Sequence, residues 1–144
     1  MVDIARIDKI TSREKAAVTP AYSDFYNNFN VHPQNKKLAK YVNVDSVKRA
    51  LRNLILTDKY ERLFQAEVGC NVRNLLFEPM VETTSIRIRD EIRDSINKYE
   101  PRVRLLDVEV FANEARNSYD VYIIFEVINT VDPVSLSLTL FRAR

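Results

Sequence analysis

Hydrophobic residues follow two different spacings along this chain of 144 residues, and the change between them falls close to residue 100. Before it, Ile88, Ile92 and Ile96 recur at the spacing of a helix face, whereas after it apolar and polar residues alternate as they do in strands. Helices followed by consecutive strands with short connections are typical of α+β proteins. We therefore predict an α+β fold in which about three helices pack on a three-stranded antiparallel β-meander.

Three helices are predicted, over residues 45–57, 71–78 and 84–98. Thr83 or Thr84 has the side-chain oxygen to cap the start of the third helix, and Pro79 stops the second. Gly69 closes the irregular connection before the second helix, where it supplies a backbone angle that other residues avoid.

Three strands are predicted, over residues 104–111, 119–129 and 134–141, joined by a loop at 112–118 and a turn at 131–133. Each strand has one apolar face, formed by Leu106, Val108 and Val110 in the first, by Val121, Ile123, Phe125 and Val127 in the second, and by Val134, Leu136, Leu138 and Leu140 in the third. The second strand also carries Tyr122, Ile124 and Ile128 on its other face. We expect a cover over that face and an open strand edge that can pair with another chain.

The beginning of the chain has only weak periodicity, and Pro20 and Pro33 interrupt any long helix. We predict an extended arm over residues 1–40 that becomes ordered on assembly, and a single α+β domain over residues 41–144. A disordered leader over residues 1–18 is the alternative for the start of the arm.

Composition excludes several classes of function. The single glycine, Gly69, rules out glycine-rich phosphate loops, and the single cysteine, Cys70, rules out an internal disulfide. The chain has a net charge of +2 with interspersed signs, a polar start and no apolar run long enough to span a membrane. We expect no cofactor, no metal, no nucleic-acid or membrane partner, and assembly in a reducing cytoplasm.

Tyr99-Glu100-Pro101-Arg102 stands where the helix pattern stops and the strand pattern starts. Pro101 enforces the change, because it lacks an amide proton and biases Glu100 towards an extended conformation. The sequence therefore predicts an exposed corner, with a carboxylate on one side of a stiff proline and a guanidinium suited to bidentate hydrogen bonding on the other. Plain termination of the helix is the simpler interpretation of the same residues.

Two sequence blocks precede this corner. They are Glu67-Val68-Gly69-Cys70 and Asn74-Leu75-Leu76-Phe77-Glu78-Pro79-Met80, followed by the helix from Thr84 to Lys98. In order and spacing, the blocks and the corner resemble the baseplate wedge and sheath-initiator family of contractile-tailed phages, once called the baseplate lysozyme. The resemblance runs from about Tyr22 to the C-terminus, and the type VI secretion baseplate has a related subunit.

The resemblance implies a structural protein, not an enzyme, that joins the inner baseplate to the first ring of a contractile sheath. Glu100, Pro101 and Arg102 would dock on the core helical bundle of inner wedge proteins. The third strand would pair with arms of the tail sheath protein by strand addition. Its residues for this role are Val134, Leu136, Leu138 and Leu140. The tail tube is a further partner, and several copies would stand in a sixfold assembly in the virion tail baseplate, assembled in the host cytoplasm.

The older family name also raises glycoside hydrolysis, in which two carboxylates flank the bond to be cleaved. The candidates for a lysozyme-like muramidase acting on peptidoglycan are Glu67, Glu78, Glu82 and Glu100. None lies in an apolar stretch of the kind that a general acid requires, and the chain has no tryptophan. For other chemistry, Cys70 and His32 are far apart in the sequence, and we expect a small buried residue and a turn residue, respectively.

Overall fold

The structure is a computed structural model that describes residues 21–26, 28–128 and 132–142. The chain divides into two units between Asn43 and Val44. The leader predicted over residues 1–18 lies outside the described residues, as do the predicted end of the second strand at Asn129 and the start of the turn that follows. The division into an arm over residues 1–40 and a domain over residues 41–144 stays a prediction.

The described part of the first unit is a small antiparallel hairpin. Its strands are β1 (Ser23–Phe25) and β2 (Lys40–Val42), and Val31 and Leu38 form a further bridge between them. His32 lies inside the turn that this bridge closes, where its backbone N–H and carbonyl both make hydrogen bonds across the turn. The prediction of a turn residue at His32 is confirmed.

Three helices follow the hairpin: α1 (Asn43–Leu56), α2 (Val72–Leu75) and α3 (Glu82–Tyr99). Their number and order confirm the prediction, although α2 is shorter than the predicted span of residues 71–78. The prediction that a threonine caps α3 is wrong. Val81 occupies the cap position, and Thr83 and Thr84 both lie inside the helix. The hydroxyl of Thr84 instead donates to the carbonyl of Pro79, 2.9 Å away.

The predicted antiparallel meander is confirmed, with β3 (Val103–Asn113), β4 (Ser118–Val127) and β5 (Val134–Phe141) in the order β3-β4-β5. β5 has the predicted bounds, whereas β3 is longer than predicted at both ends. A short 3-10 helix, Glu114–Arg116, occupies the predicted loop, and Asn117 leads into β4 with a left-handed backbone (φ 50°).

The register between β3 and β4 breaks at Leu106. Its neighbours Leu105 and Asp107 lie opposite successive residues of β4, so Leu106 is the extra residue of a β-bulge and is 46% exposed. The sequence prediction that Leu106 shares a face with Val108 and Val110 is wrong, because the bulge interrupts the alternation between them.

The core lies between the helices and one face of the sheet. α3 packs against β3 and buries Ile88, Ile92 and Ile96. The buried strand residues that form the sheet side of this core are Val103, Val108, Tyr119, Val121, Ile123, Phe125, Val127, Leu138 and Leu140. The prediction of one buried face on β4 is confirmed. In the described part of the chain, no helix has the length and hydropathy needed to cross a membrane.

Candidate docking sites

The corner at Glu100, Pro101 and Arg102 is a tight turn between α3 and β3. The N–H of Glu100 donates to the carbonyl of Ile96, 2.9 Å away, and the carbonyl of Glu100 accepts from the N–H of Val103 at 3.2 Å. Since Pro101 has no N–H to continue the helical pattern, the helix ends before it. The predicted change from helix to strand at this proline is confirmed.

Glu100 and Arg102 bind each other across the proline. Oε1 of Glu100 accepts from Nε of Arg102 at 2.7 Å, and Oε2 accepts from Nη2 at 2.8 Å, which makes a bidentate, charge-assisted pair. Glu100 is 7% exposed, whereas the side chain of Arg102 is 29% exposed and Pro101 is exposed. The expectation of an exposed carboxylate is therefore wrong, because the guanidinium folds back over it.

The chain on either side of the corner is also fixed. The carbonyl of Arg102 accepts from the N–H of Ile128 at 2.9 Å, which holds the corner to the end of β4. On the other side, the hydroxyl of Tyr99 donates to the carbonyl of Glu67, 2.6 Å away. The chain on both sides of the Glu100–Arg102 pair is therefore held in place.

The connection over residues 58–70 is fixed at its base and apolar at its tip. Gly69 has φ +149°, and a Cβ there would lie 2.7 Å from the carbonyl oxygen of Thr57, so the close approach requires glycine. At the tip, Leu63 and Phe64 expose nearly all of their side chains. No periodicity in the sequence indicates this exposed pair, because a loop has neither helical nor strand spacing.

An ion pair joins this connection to α3. Nζ of Lys59 lies 2.5 Å from Oε1 of Glu91, which also accepts from the N–H of Asn71 at 3.1 Å. Burial alone would raise the pKa of Glu91, but the hydrogen bonds from Lys59 and Asn71 and the lysine charge outweigh it and leave that pKa below its usual value. The hydrogen bond to Glu91 holds the pKa of Lys59 above its usual value. Both groups are therefore charged at neutral pH.

Cys70 is a structural residue. It is fully buried, and burial raises the pKa of its thiol to about 11, so little of the reactive thiolate exists at neutral pH. The prediction of a small buried residue next to a tight turn is confirmed. The described residues contain no group of three or more His, Cys, Asp or Glu side chains placed to hold a metal ion.

Three of the four candidate acids for hydrolysis have cationic partners. The pairs are Glu67 with Lys98, Glu78 with Arg87, and Glu100 with Arg102. Glu82, the fourth, lies in the first turn of α3. A glycosidase needs two carboxylates that flank the bond to be cleaved, whereas three of these four side chains are engaged in ion pairs. These surroundings suit structural ion pairs better than acid catalysis.

β5 is an edge strand. It pairs with β4 on one side, and within the described ranges no strand pairs with its other side. Leu138 and Leu140 are buried on the core face, and Val134 and Leu136 are partly buried there. The four predicted residues therefore lie together, with side chains that anchor the strand in the core while its backbone runs along the open edge.

The sheet face turned away from the helices is partly apolar. Tyr122 and Ile124 are exposed on it, as is Ile128 just beyond the end of β4, which confirms the apolar second face of this strand. Phe111 of β3 contacts Tyr122 edge-on, with ring centroids 6.0 Å apart. Phe111 is not among the predicted residues of this face, because it stands at the predicted end of the first strand, although regular alternation from Val108 places it opposite the core face.

Three solved structures share this fold. A protein from Geobacter sulfurreducens described as a candidate tail lysozyme aligns with a TM-score of 0.63 and 23% identity over 68% of this chain and 89% of its own. A chain of the sixfold-symmetrised baseplate of the anti-feeding prophage aligns with a TM-score of 0.59 and 19% identity over 85% and 87%. A chain of the type VI secretion baseplate complex aligns with a TM-score of 0.58 and 17% identity over 69% and 93%.

Sequence comparison identifies the family. The family of baseplate wedge protein gp25 matches residues 42–132, which is well over half of the chain. Baseplate wedge protein gp25 of Enterobacteria phage T4 is 32% identical over 100 residues, which make up 69% of this chain and 76% of that protein. These matches confirm the resemblance carried by the two sequence blocks and the corner, and the chain belongs to the baseplate wedge protein gp25 family.

Proposed function

We propose that this chain docks on inner wedge proteins through the Glu100–Arg102 corner and starts sheath assembly by strand pairing at β5. As a member of the gp25 family it is a baseplate wedge component. The two docking roles are our proposal for how it contacts its neighbours in the baseplate. The observation that carries the proposal is a contrast between the two edges of the sheet.

β5 lacks the features with which natural sheets protect an edge. Protected edges are short, charged, bulged or interrupted by proline. β5 has eight residues, with no charged side chain and no proline among them. The opposite edge, β3, carries Arg104, Asp107 and Glu109 and the bulge at Leu106. Of the two edges, β5 is the one suited to accept another strand.

The partner that fits such an edge is an extended segment of another chain. Strand addition satisfies the main-chain N–H and C=O groups along β5, and alternate side chains of the incoming strand face the two sides of the sheet. By family resemblance, this segment is an arm of the tail sheath protein. We place several copies of the chain in a sixfold assembly at the tail baseplate of a virion, with the tail tube as a further neighbour.

The corner is the second docking surface, with the core helical bundle of the inner wedge proteins as its partner. Glu100 holds the guanidinium of Arg102, and Pro101 presents a stiff, exposed ring beside it. A group that is fixed before binding loses little conformational entropy on docking. Since the corner lies at the start of β3 and β5 is the opposite edge, one subunit can hold both partners at once.

Incorporation of variants into wedge complexes tests the docking role. We expect Arg102→Ala to abolish copurification with the inner wedge proteins and to leave the circular dichroism spectrum unchanged. Arg104→Ala is the matched control, because that arginine is 79% exposed and lies 4.0 Å from Glu126. Normal incorporation of Arg102→Ala would refute docking through the corner.

Peptidoglycan hydrolysis is the second candidate function, because one protein of the same fold is described as a candidate tail lysozyme. The cationic partners of Glu67, Glu78 and Glu100 count against it. We therefore propose that the chain is not an enzyme. A muramidase assay on the purified chain should show no more turnover than its triple Glu→Gln variant, and turnover lost in that variant alone would establish a hydrolase.

A further inference from the structure

A groove of about 240 Å³ runs beside the end of β5. It is lined by Leu56 at the end of α1, by Val72 and Leu76 at α2, and by Leu140 and Phe141 on β5. Leu140 and Phe141 are consecutive in a strand, so their side chains point to opposite faces of the sheet. A groove lined by both follows the edge of the strand instead of lying on one face.

The apolar surface of the helices continues past this edge. Ile55 is buried, whereas its neighbour Leu56 is 49% exposed, and Phe141 on the facing wall is 67% exposed. A second hollow, of about 270 Å³, adjoins the groove between Leu76, Phe77 and Phe141. Apolar side chains of the helices are therefore exposed beside the edge of β5.

Arg142 holds the two walls of the groove together. Its Nε donates to the carbonyl of Leu76 at 3.0 Å, and its Nη2 donates to the carbonyl of Glu78 at 3.0 Å. Its Nη1 donates to Oδ1 of Asn117 at 3.2 Å. These bonds fix the end of β5 to the segment after α2, so the groove exists before a partner arrives and little ordering is needed on binding.

The size and charge of the groove favour a single apolar side chain as its occupant. A volume of about 240 Å³ lies below the range of roughly 300–1,000 Å³ that is usual for small-molecule sites. The charged residues at its rim, Asp58 and Arg73, pair with each other at 2.9 Å. Their charges cancel, so the rim offers no net attraction to a charged group.

We propose that this groove is a pocket for one large aliphatic or aromatic side chain of the strand that pairs with β5. The pocket rests on the pairing at β5 proposed above. It would fix the register of the paired strand, which main-chain hydrogen bonds alone do not fix. A paired strand can slip by two residues and keep its hydrogen-bonding pattern, whereas one filled pocket fixes the register. Because side chains alternate, the occupant belongs to the half of the incoming residues that face the helices.

Binding of the purified sheath subunit of the same particle to the full chain tests this pocket. We expect Leu56→Glu to raise the dissociation constant by at least about tenfold, because it places a charge in the apolar groove. Ile86→Glu is the matched control: Ile86 is 42% exposed on α3, outside the groove, and its change should stay within about twofold. Phe141→Ser, on the opposite wall, serves as a second variant if Leu56→Glu loses the fold.

Amide hydrogen exchange of β5 in the same mixtures distinguishes failure of the pocket from failure of the strand pairing at β5. Wild-type affinity of both groove variants, with β5 amides protected by the sheath subunit, would overturn the pocket and leave the pairing intact. Sheath binding that leaves the β5 amides unprotected would overturn the pairing, and the pocket with it.

Discussion

The carboxylate of Glu100 and the guanidinium of Arg102 form a bidentate pair across Pro101, with hydrogen bonds of 2.7 and 2.8 Å. The buried glutamate has little surface of its own to offer a partner. In the docking proposed above, the glutamate would position the arginine, whose planar fork would otherwise lose conformational entropy on binding. The two residues and the proline act as one rigid element.

Replacing Glu100 tests whether this element works as a unit. We expect Glu100→Gln to lower incorporation into wedge complexes by at least about tenfold. Residue 100 is buried and does not itself face a partner, but a neutral amide binds the Arg102 guanidinium more weakly than a carboxylate does. Copurification measures incorporation, and thermal melting measures the fold. Glu109→Gln, on the exposed side of β3, is the control. Incorporation of Glu100→Gln at the level of the control would mean that Arg102 docks without its partner.

Two tyrosine hydroxyls give opposite predictions. The Tyr99 hydroxyl donates to the carbonyl of Glu67 at 2.6 Å, so we expect Tyr99→Phe to lower the free energy of unfolding by about 0.5–1.5 kcal/mol. The Tyr119 hydroxyl is buried without a hydrogen-bond partner among the described residues. We expect Tyr119→Phe to be neutral or stabilising, because it removes a buried polar group that makes no bond. Urea denaturation of both variants measures these free energies of unfolding. A larger loss of stability in Tyr119→Phe than in Tyr99→Phe would contradict this assignment.

The ion pair between Lys59 and Glu91 predicts a pH dependence of stability. The pKa of Glu91 in the folded chain lies below its ordinary value of 4.5, so its contribution is complete above pH 4.5 and is lost as the pH falls through the folded-state pKa. The pKa of Lys59 is raised above 10.5, so its contribution is complete below pH 10.5 and is lost as the pH rises through the higher value.

Glu91→Gln measures this contribution. Because Lys59 is 38% exposed, we expect a loss of only about 0.2–1 kcal/mol at pH 7. The loss should shrink as the pH falls below 4.5, since the wild-type carboxylate then becomes protonated. Asp94→Asn, on the exposed side of the same helix, provides the control for removal of one charge. A loss of stability in Glu91→Gln that persists unchanged to low pH would exclude the charge as its cause.

The β-bulge predicts that two apolar positions on β3, Leu106 and Val108, tolerate substitution by a charged residue to different degrees. Leu106 is exposed as the extra residue, so Leu106→Lys should change the free energy of unfolding by less than about 0.5 kcal/mol. Val108 is buried two residues later, and Val108→Lys should prevent folding or destabilise by several kcal/mol, because it buries an unpaired charge. Equal tolerance of both changes in a thermal melt would place the bulge elsewhere.

Regular alternation allowed much of the fold to be predicted from the sequence. Serine and threonine separate the apolar residues of Val134–Phe141, so the bounds of β5 and its core face were both predictable. The consecutive apolar residues Leu105 and Leu106 break that regularity, and nothing local decides which of them is the extra one. Thr84 has a capping side chain, but whether it lies before or inside the helix depends on the packing of the preceding segment.

The candidate site was predictable only in part. Pro101 indicates the end of the helix and therefore the position of the corner. The pairing of Glu100 with Arg102 depends on side-chain directions, which periodicity does not encode. The groove at β5 combines Leu56, Leu76 and Phe141 from three distant segments, so it exists only in the folded chain.

Amide hydrogen exchange of the full chain, alone and with the purified sheath subunit, tests the central claim that β5 is the pairing edge. We expect the β5 amides that point away from β4 to exchange rapidly in the chain alone and to slow by at least about tenfold when the sheath subunit binds. The amides of β3, the charged and bulged edge, should exchange at the same rate in both samples. Slower exchange in β3 with no change in β5, while the sheath subunit is bound, would contradict the account.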